Sequence, residues 1–151
     1  MHTLDWYEKA HGKVDGLILL QSTSLLRNFE TINAAVRGGI SKLQSLLAVS
    51  PASQHPAWCL YQESGSVVPL LRWGDLSRRA QAQKPAYALN GIIYISTPES
   101  LRDSKSFPTK DTKRSSIEDQ FETIDIGMHF NRLMAEFFHQ HMLANKGGQR
   151  P

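Results

Sequence analysis

GLILLQSTSLLR, residues 16–27, sets an unbroken apolar run against a cluster of small hydroxyl side chains. A strand in the middle of a parallel sheet is covered by helices on both faces, so it is apolar at consecutive positions. Leu17–Leu20 predicts such a strand. In an open α/β sheet ligands bind beyond the carboxyl ends of the strands, so the loop Gln21–Ser24 is expected to aim its amide, hydroxyls and N–H groups at a site. The same hydroxyls would equally serve a plain connection that caps the next helix.

Upstream, Thr3, Leu4, Tyr7 and His11 predict a short helix with Thr3 as N-cap, stopped by Gly12. Downstream, Asn28 caps a crossover helix to Arg37, with Phe29, Ile32, Ala35 and Val36 on one face and Gly38-Gly39 as its end. A strand over Ser45–Ser50, parallel to the first, completes a βαβ unit. Residues 51–84 change character: Ala57–Gln62 and Ser66–Leu71, separated by Glu63-Ser64-Gly65, predict a β-hairpin with Trp58, Leu60 and Val67 on a buried face. A short helix is expected after Asp75. Asn90-Gly91 turns the chain into a second buried strand, Ile92–Ser96, and Thr97-Pro98-Glu99 starts a short helix to about Arg102. Asp103–Ser116 reads as a mobile loop, Glu122–Ile126 as a last strand, His129–Leu143 as an amphipathic helix on the sheet, and Asn145–Pro151 as a frayed tail. This alternation is that of an α/β fold in one domain, residues 1–151, with 51–84 inserted as an arm.

Length and composition narrow the classes further. A chain of 151 residues with 40% apolar and 21% charged residues is a soluble globular protein with one core. No run is long enough for a membrane span, and no signal peptide is visible, so the cytoplasm is the expected compartment. The single cysteine, Cys59, cannot form an internal disulfide and reads as a small buried side chain. The net charge of +3 is scattered apart from Arg78-Arg79 and the stretch 110–114, without the basic face of a nucleic-acid binder. A mild positive excess is compatible with an anionic small molecule.

Asp125 is the strongest chemical candidate, because a carboxylate at the end of an apolar strand needs a cation or a metal unless it caps the helix that follows. Gln21 has an amide that can donate and accept at once toward a sugar or base. Asn90 either orients a ligand or serves as the turn residue before Gly91, and Tyr94 by itself reads as core. Six histidines do not form a metal motif, since His139 and His141 point to different sides of a helix and the others are isolated. No nucleophile elbow, Walker loop or dinucleotide fingerprint occurs.

The segment LLQSTSLLR resembles LLQPTSPLR of the acylneuraminate cytidylyltransferases, the enzymes that make CMP-sialic acid and related CMP-nonulosonates. YALNGIIYI, residues 87–95, is similar to that family's Y-x-x-NGAIYI; TIDIG, residues 123–127, to its SIDID; and the helix with Ala135 and Glu136 to its DF-x-x-AE. The resemblance implies part of a three-layer αβα Rossmann-like nucleotidyltransferase fold with a mostly parallel sheet and a β-hairpin dimerisation arm. It implies a homodimer acting on CTP and an acidic sugar, with Mg²⁺ at Asp125, Gln21 and Asn90 at the substrate, and Tyr94 and Phe107 around the sugar's acyl group. It also marks departures. Ser22 and Leu25 replace both prolines of the loop, Gly127 replaces the second aspartate, and Gln81 stands where the family places an arginine, with Arg79 nearby. The basic, Gly-containing phosphate loop has no counterpart, and Met1 falls about where the family's later half begins. The alternative reading is a non-catalytic binding or assembly module.

Overall fold

A computed structural model of the chain describes residues 2–39 and 44–147. Helix α1 (His2–His11) begins at His2, so Thr3 lies inside it, and the Gly12 N–H closes its last turn on the Glu8 carbonyl at 2.9 Å. Strand β1 (Leu17–Leu19) leads through the hydroxyl loop to helix α2 (Phe29–Gly39). As predicted, the Asn28 side chain accepts the Glu30 N–H at 3.2 Å and caps α2. Both Gly38 and Gly39 belong to the helix, so the stop expected at Gly38-Gly39 does not fall before them. Strand β2 (Leu46–Pro51) follows.

The main sheet has the order β1-β5-β2-β6, with β5 spanning Tyr87–Ser96 and β6 Lys113–Ser116. Strands β1, β2 and β6 run one way and β5 runs against them, so β1 and β2 are parallel in direction but not neighbours. The sheet is mixed, with three of its four strands aligned. Strand β1 is not central but outermost, and Ile18, Leu19 and Leu20 are each about 40% exposed, from 39% to 42%. Helix α2 packs on β5 and β2. Between them lies the core of Ala35, Leu46, Ala48, Ile92, Ile93, Ile95 and Ile117, with Ile32 against it. Each of the three β5 isoleucines is at most 1% exposed, and such burial stabilises by about 1.5–3 kcal/mol per side chain.

The predicted hairpin forms from β3 (Leu60–Glu63) and β4 (Ser66–Pro69), a separate two-stranded sheet turned by Ser64 and Gly65 at φ 50° and 84°. Positive φ at both central residues is the type I′ pattern that matches strand twist. The face expected to be buried, with Trp58, Leu60 and Val67, is exposed within this single chain. At the base of the arm the Ala52 N–H meets the Ala86 carbonyl at 2.9 Å and His55 Nε2 lies 2.8 Å from the Lys84 carbonyl. Cys59 is half-buried. Instead of a helix after Asp75, two short 3₁₀ turns occur at 73–75 and 80–82. Asp75 is buried there, with both carboxylate oxygens on the Arg72 guanidinium, which holds its carboxyl below the usual range, and with Arg78 at 3.5 Å.

Helix α3 (Pro98–Ser104) is capped by Thr97, whose hydroxyl accepts the Ser100 N–H at 3.2 Å. The stretch read as a loop contains β6, a polar edge strand beside β2. The strand expected over Glu122–Ile126 is absent, and turns occupy that stretch. Helix α4 (His129–Gly147) is longer than predicted, and of the expected tail only 148–151 lie outside the described residues. It rests on those turns, with Phe138 edge-on to Phe121 at 4.5 Å between ring centroids. No helix among the described residues is long and apolar enough to cross a membrane.

Candidate functional site

Strand β5 carries the irregularity on which the site is built. Leu47 pairs with Tyr94 and Val49 with Leu89, so Ala48 alone faces Asn90, Gly91, Ile92 and Ile93. A bulge of this kind bends a strand and frees backbone groups, which need new partners. Asn90 supplies one of them, its Oδ1 accepting the Ile92 N–H at 3.2 Å, and its Nδ2 ties the bulge to β2 by donating to Ser50 Oγ at 3.0 Å. Both ends of its amide therefore hold the bulge, and each keeps one further hydrogen-bonding position, a second N–H and a second lone pair. Gly91 sits at φ 74°, and a Cβ there would overlap Gln21 Oε1. The glycine thus serves both the left-handed backbone and the close approach of the Gln21 amide.

The hydroxyl loop is fixed from the other side by Arg27. Its Nη1 donates to the Gln21 carbonyl at 2.6 Å and reaches the Ile92 carbonyl at 3.4 Å, tying the loop to the bulge. Ser24 is 1% exposed, and its hydroxyl has no hydrogen-bond partner among the described residues. Asp125 lies in a turn rather than at a strand end: Oδ1 accepts the Gly127 N–H at 2.8 Å, and its backbone carbonyl accepts Asn131 Nδ2 of α4 at 2.8 Å. The next residue, Ile126, donates its N–H to the Thr23 carbonyl at 3.0 Å, bringing the Asp125 turn against the hydroxyl loop.

These pieces enclose a cleft of about 340 Å³, lined by Gln21, Ser50, Asn90, Gly91, Tyr94 and Asp125 among others. It opens beyond the carboxyl ends of β1 and β2, where the topology of an open α/β sheet places ligands. Of the residues singled out from sequence, Gln21, Asn90, Tyr94 and Asp125 share its wall. Phe107 does not line it, but its ring lies 5.8 Å from that of Tyr94 between centroids. Arg79 and Gln81 are exposed and outside the wall.

Sequence reasoning passed over Arg27, Ser50 and Glu122. Arg27 had a signal, as the first charge after ten neutral residues that begin with Leu17. Glu122, 5% exposed, accepts the Asn28 N–H at 3.1 Å and the Thr31 hydroxyl at 2.9 Å, so it anchors the start of α2 to the turns before Asp125. A carboxylate at a helix N-terminus is also favoured by the helix dipole. Nothing in the local sequence announces that partnership.

No family model matches the chain. Over 113 residues, 74% of its length, it is 38% identical to the CMP-N,N'-diacetyllegionaminic acid synthase of Legionella pneumophila. That relative is a CMP-nonulosonate synthase, so the match supports the resemblance to the acylneuraminate cytidylyltransferase family. The chain spans about half the length of that relative, 48%. Among the described residues no group of three or more His, Cys, Asp or Glu side chains is placed to hold a metal. The cleft offers one carboxylate, Asp125, beside amide and hydroxyl oxygens, and no His or Cys. Such hard oxygen donors suit Mg²⁺ shared with waters and substrate phosphates, and do not suit a cage built from protein alone.

Proposed function

We propose that the cleft is the sugar-acid end of a cytidylyltransferase site, in which CMP passes from CTP to a nonulosonic acid and pyrophosphate leaves. What supports this reading most is the convergence of Gln21, Asn90, Tyr94 and Asp125, far apart in the chain, on one cleft at the strand ends of a chain that matches a CMP-nonulosonate synthase. In the reaction the sugar hydroxyl forms a bond to the α-phosphorus of CTP as the α–β phosphoanhydride breaks. Mg²⁺, when bound, neutralises charge on the phosphates. Asp125 would hold it through its carboxylate, one oxygen of which also accepts the Gly127 N–H. The Gln21 side-chain amide, on a residue whose backbone carbonyl is pinned by Arg27, donates to and accepts from sugar hydroxyls. Tyr94, backed by Phe107, offers an aromatic surface to an apolar substituent. Asn90 holds the bulge and has a second N–H left for the substrate.

The same reading places the chain in a partial three-layer αβα Rossmann-like fold in the cytoplasm. It makes residues 51–84 a dimerisation arm whose exposed Leu60, Tyr61, Val67 and Trp73 meet a second copy. The single carboxylate and the half-length match favour a second reading, a binding or assembly module without turnover. Pyrophosphate release from CTP, Mg²⁺ and N,N'-diacetyllegionaminic acid, measured beside calorimetric binding of the sugar acid, separates the two. Catalysis predicts release that Asp125→Asn abolishes. A module predicts sugar-acid binding that Gln21→Ala and Tyr94→Ala each weaken about tenfold, without release. Binding unchanged in both variants would discard the cleft as the site.

A further inference from the structure

Two polar groups in the loop beside the cleft are without partners, and they adjoin. Ser24 is 1% exposed, and its hydroxyl makes no hydrogen bond among the described residues. A hydroxyl withdrawn from water with nothing to bond costs free energy, so a folded chain seldom keeps one without a use for it. Gln21 is fixed through its backbone alone: its carbonyl accepts from Arg27 Nη1 at 2.6 Å and from the Ser24 N–H at 3.3 Å, whereas its side-chain amide makes no hydrogen bond among the described residues. Gln21 and Ser24 are the first and last residues of one hydrogen-bonded turn, which folds their backbones together.

Gly91 shows which end of the amide meets the hydroxyl. The point at which a Cβ would stand on Gly91 is overlapped by Gln21 Oε1 and lies 3.7 Å from Ser24 Oγ. The acceptor end of the amide therefore turns toward Gly91 and the buried hydroxyl. In a planar amide the NH₂ group then points away from that corner, and Gln21 lines the cleft. The terminal torsion of a glutamine is broad, so an amide without a partner can turn either end to a ligand. A donor placed behind it removes that freedom.

We infer that Ser24 is a positioning residue: its hydroxyl donates to Gln21 Oε1 when the cleft is occupied, so that Gln21 presents its two N–H groups, and not its carbonyl, to an acceptor oxygen of the ligand. The bond is unmade in the free chain and closes when the ligand oxygen holds Nε2, which satisfies the amide and the hydroxyl together. The inference rests on the reading of the cleft as a sugar-acid site, and it narrows the exchange proposed for Gln21 to donation. The ligand atom it meets is a carboxylate or carbonyl oxygen, or a hydroxyl oxygen used as an acceptor.

Urea unfolding without ligand and calorimetric titration with N,N'-diacetyllegionaminic acid test it on the parent chain, Ser24→Ala, Ser24→Cys, Gln21→Ala and the double variant. Without ligand, Ser24→Ala removes an unsatisfied group, so its urea midpoint should equal or exceed that of the parent. With ligand, it should weaken binding about three- to tenfold, the worth of one ordinary hydrogen bond. Ser24→Cys, similar in size and a poor donor, should weaken binding as much. In the Gln21→Ala background, Ser24→Ala should change binding by less than about twofold. A merely structural serine would lower the midpoint and would act on binding whether or not Gln21 is present. A lower midpoint for ligand-free Ser24→Ala, as a water trapped on the hydroxyl would cause, overturns the inference. So does unchanged binding in Ser24→Ala and Ser24→Cys, or a loss that persists without Gln21. Those results leave the cleft reading standing as long as Gln21→Ala itself weakens binding. A parent chain that does not bind the sugar acid, or a Gln21→Ala variant that binds it equally well, overturns the cleft reading and this inference with it.

Discussion

Replacing Gly91 by alanine tests the joint on which the cleft depends. At φ 74° an L-residue adopts the left-handed region, which costs about 1–2 kcal/mol. The new Cβ also overlaps Gln21 Oε1 and lies 3.0 Å from Gln21 Cδ, so the glutamine must leave its rotamer, at about 0.5–1.5 kcal/mol. Gly65 provides the control. Its φ is 84°, yet nothing lies within 4 Å of a Cβ there, so Gly65→Ala carries the backbone cost alone. Urea unfolding of the parent, Gly91→Ala, Gln21→Ala and the double variant forms a thermodynamic cycle. Gly91→Ala is expected to exceed Gly65→Ala by about 0.5–1.5 kcal/mol, and that excess should vanish when residue 21 is alanine. Additive effects in the cycle would refute the idea that Gly91 is there to admit the Gln21 amide.

Two further expectations concern the supports of the site. Glu122→Ala strips the buried partner from the Asn28 N–H and the Thr31 hydroxyl and should cost about 1–3 kcal/mol by urea unfolding, with Thr31→Val in the same background adding little. Helix α1 is held to α3 by Arg102, whose Nη2 meets Glu8 Oε2 at 2.6 Å and Asp5 Oδ1 at 2.9 Å. The Arg102 hydrogen bond, followed by that from the Val14 N–H, lowers the Glu8 carboxyl below its ordinary value of 4.5. A depressed folded value means that this attachment is fully present above pH 4.5 and is lost as the pH falls through the lowered value. Protection factors for amide exchange in residues 2–11, taken against the intrinsic rate at each pH, should therefore fall on acidification below that point, and Arg102→Gln should remove most of this dependence.

The elements legible in sequence were those whose signals are local. The Asn28 cap and apolar stripe of α2, the Thr97-Pro98 start of α3 and the Ser64-Gly65 turn each specify their own geometry within a few residues. Strand β6 was not legible, because its sequence KRSS is polar and it forms only by pairing with β2. Residues 122–126 have the alternation of a strand, but the Glu122 carboxylate is drawn to α2 and the Asp125 carboxylate to the Gly127 N–H, so the chain turns. Strand β1 was read correctly as a strand and wrongly as a central one, since composition reports what should cover a strand and not whether that cover is in the chain. For the cleft, the motif residues Gln21, Asn90, Tyr94 and Asp125 were identifiable, but the bulge that gathers them was not. It exists only as a mismatch between two strands.

That mismatch also couples two things that are separate in most sheets. Asn90 and Gly91 face the cleft, while Ile92 and Ile93, next to each other in the chain, are both fully enclosed in the core. The floor of the cavity and the keystone of the interior are one short piece of backbone. Any remodelling of the ligand's seat at 90–91 is therefore also a remodelling of the most deeply buried part of the core, and selectivity is more freely altered from the walls that Gln21, Tyr94 and Asp125 provide.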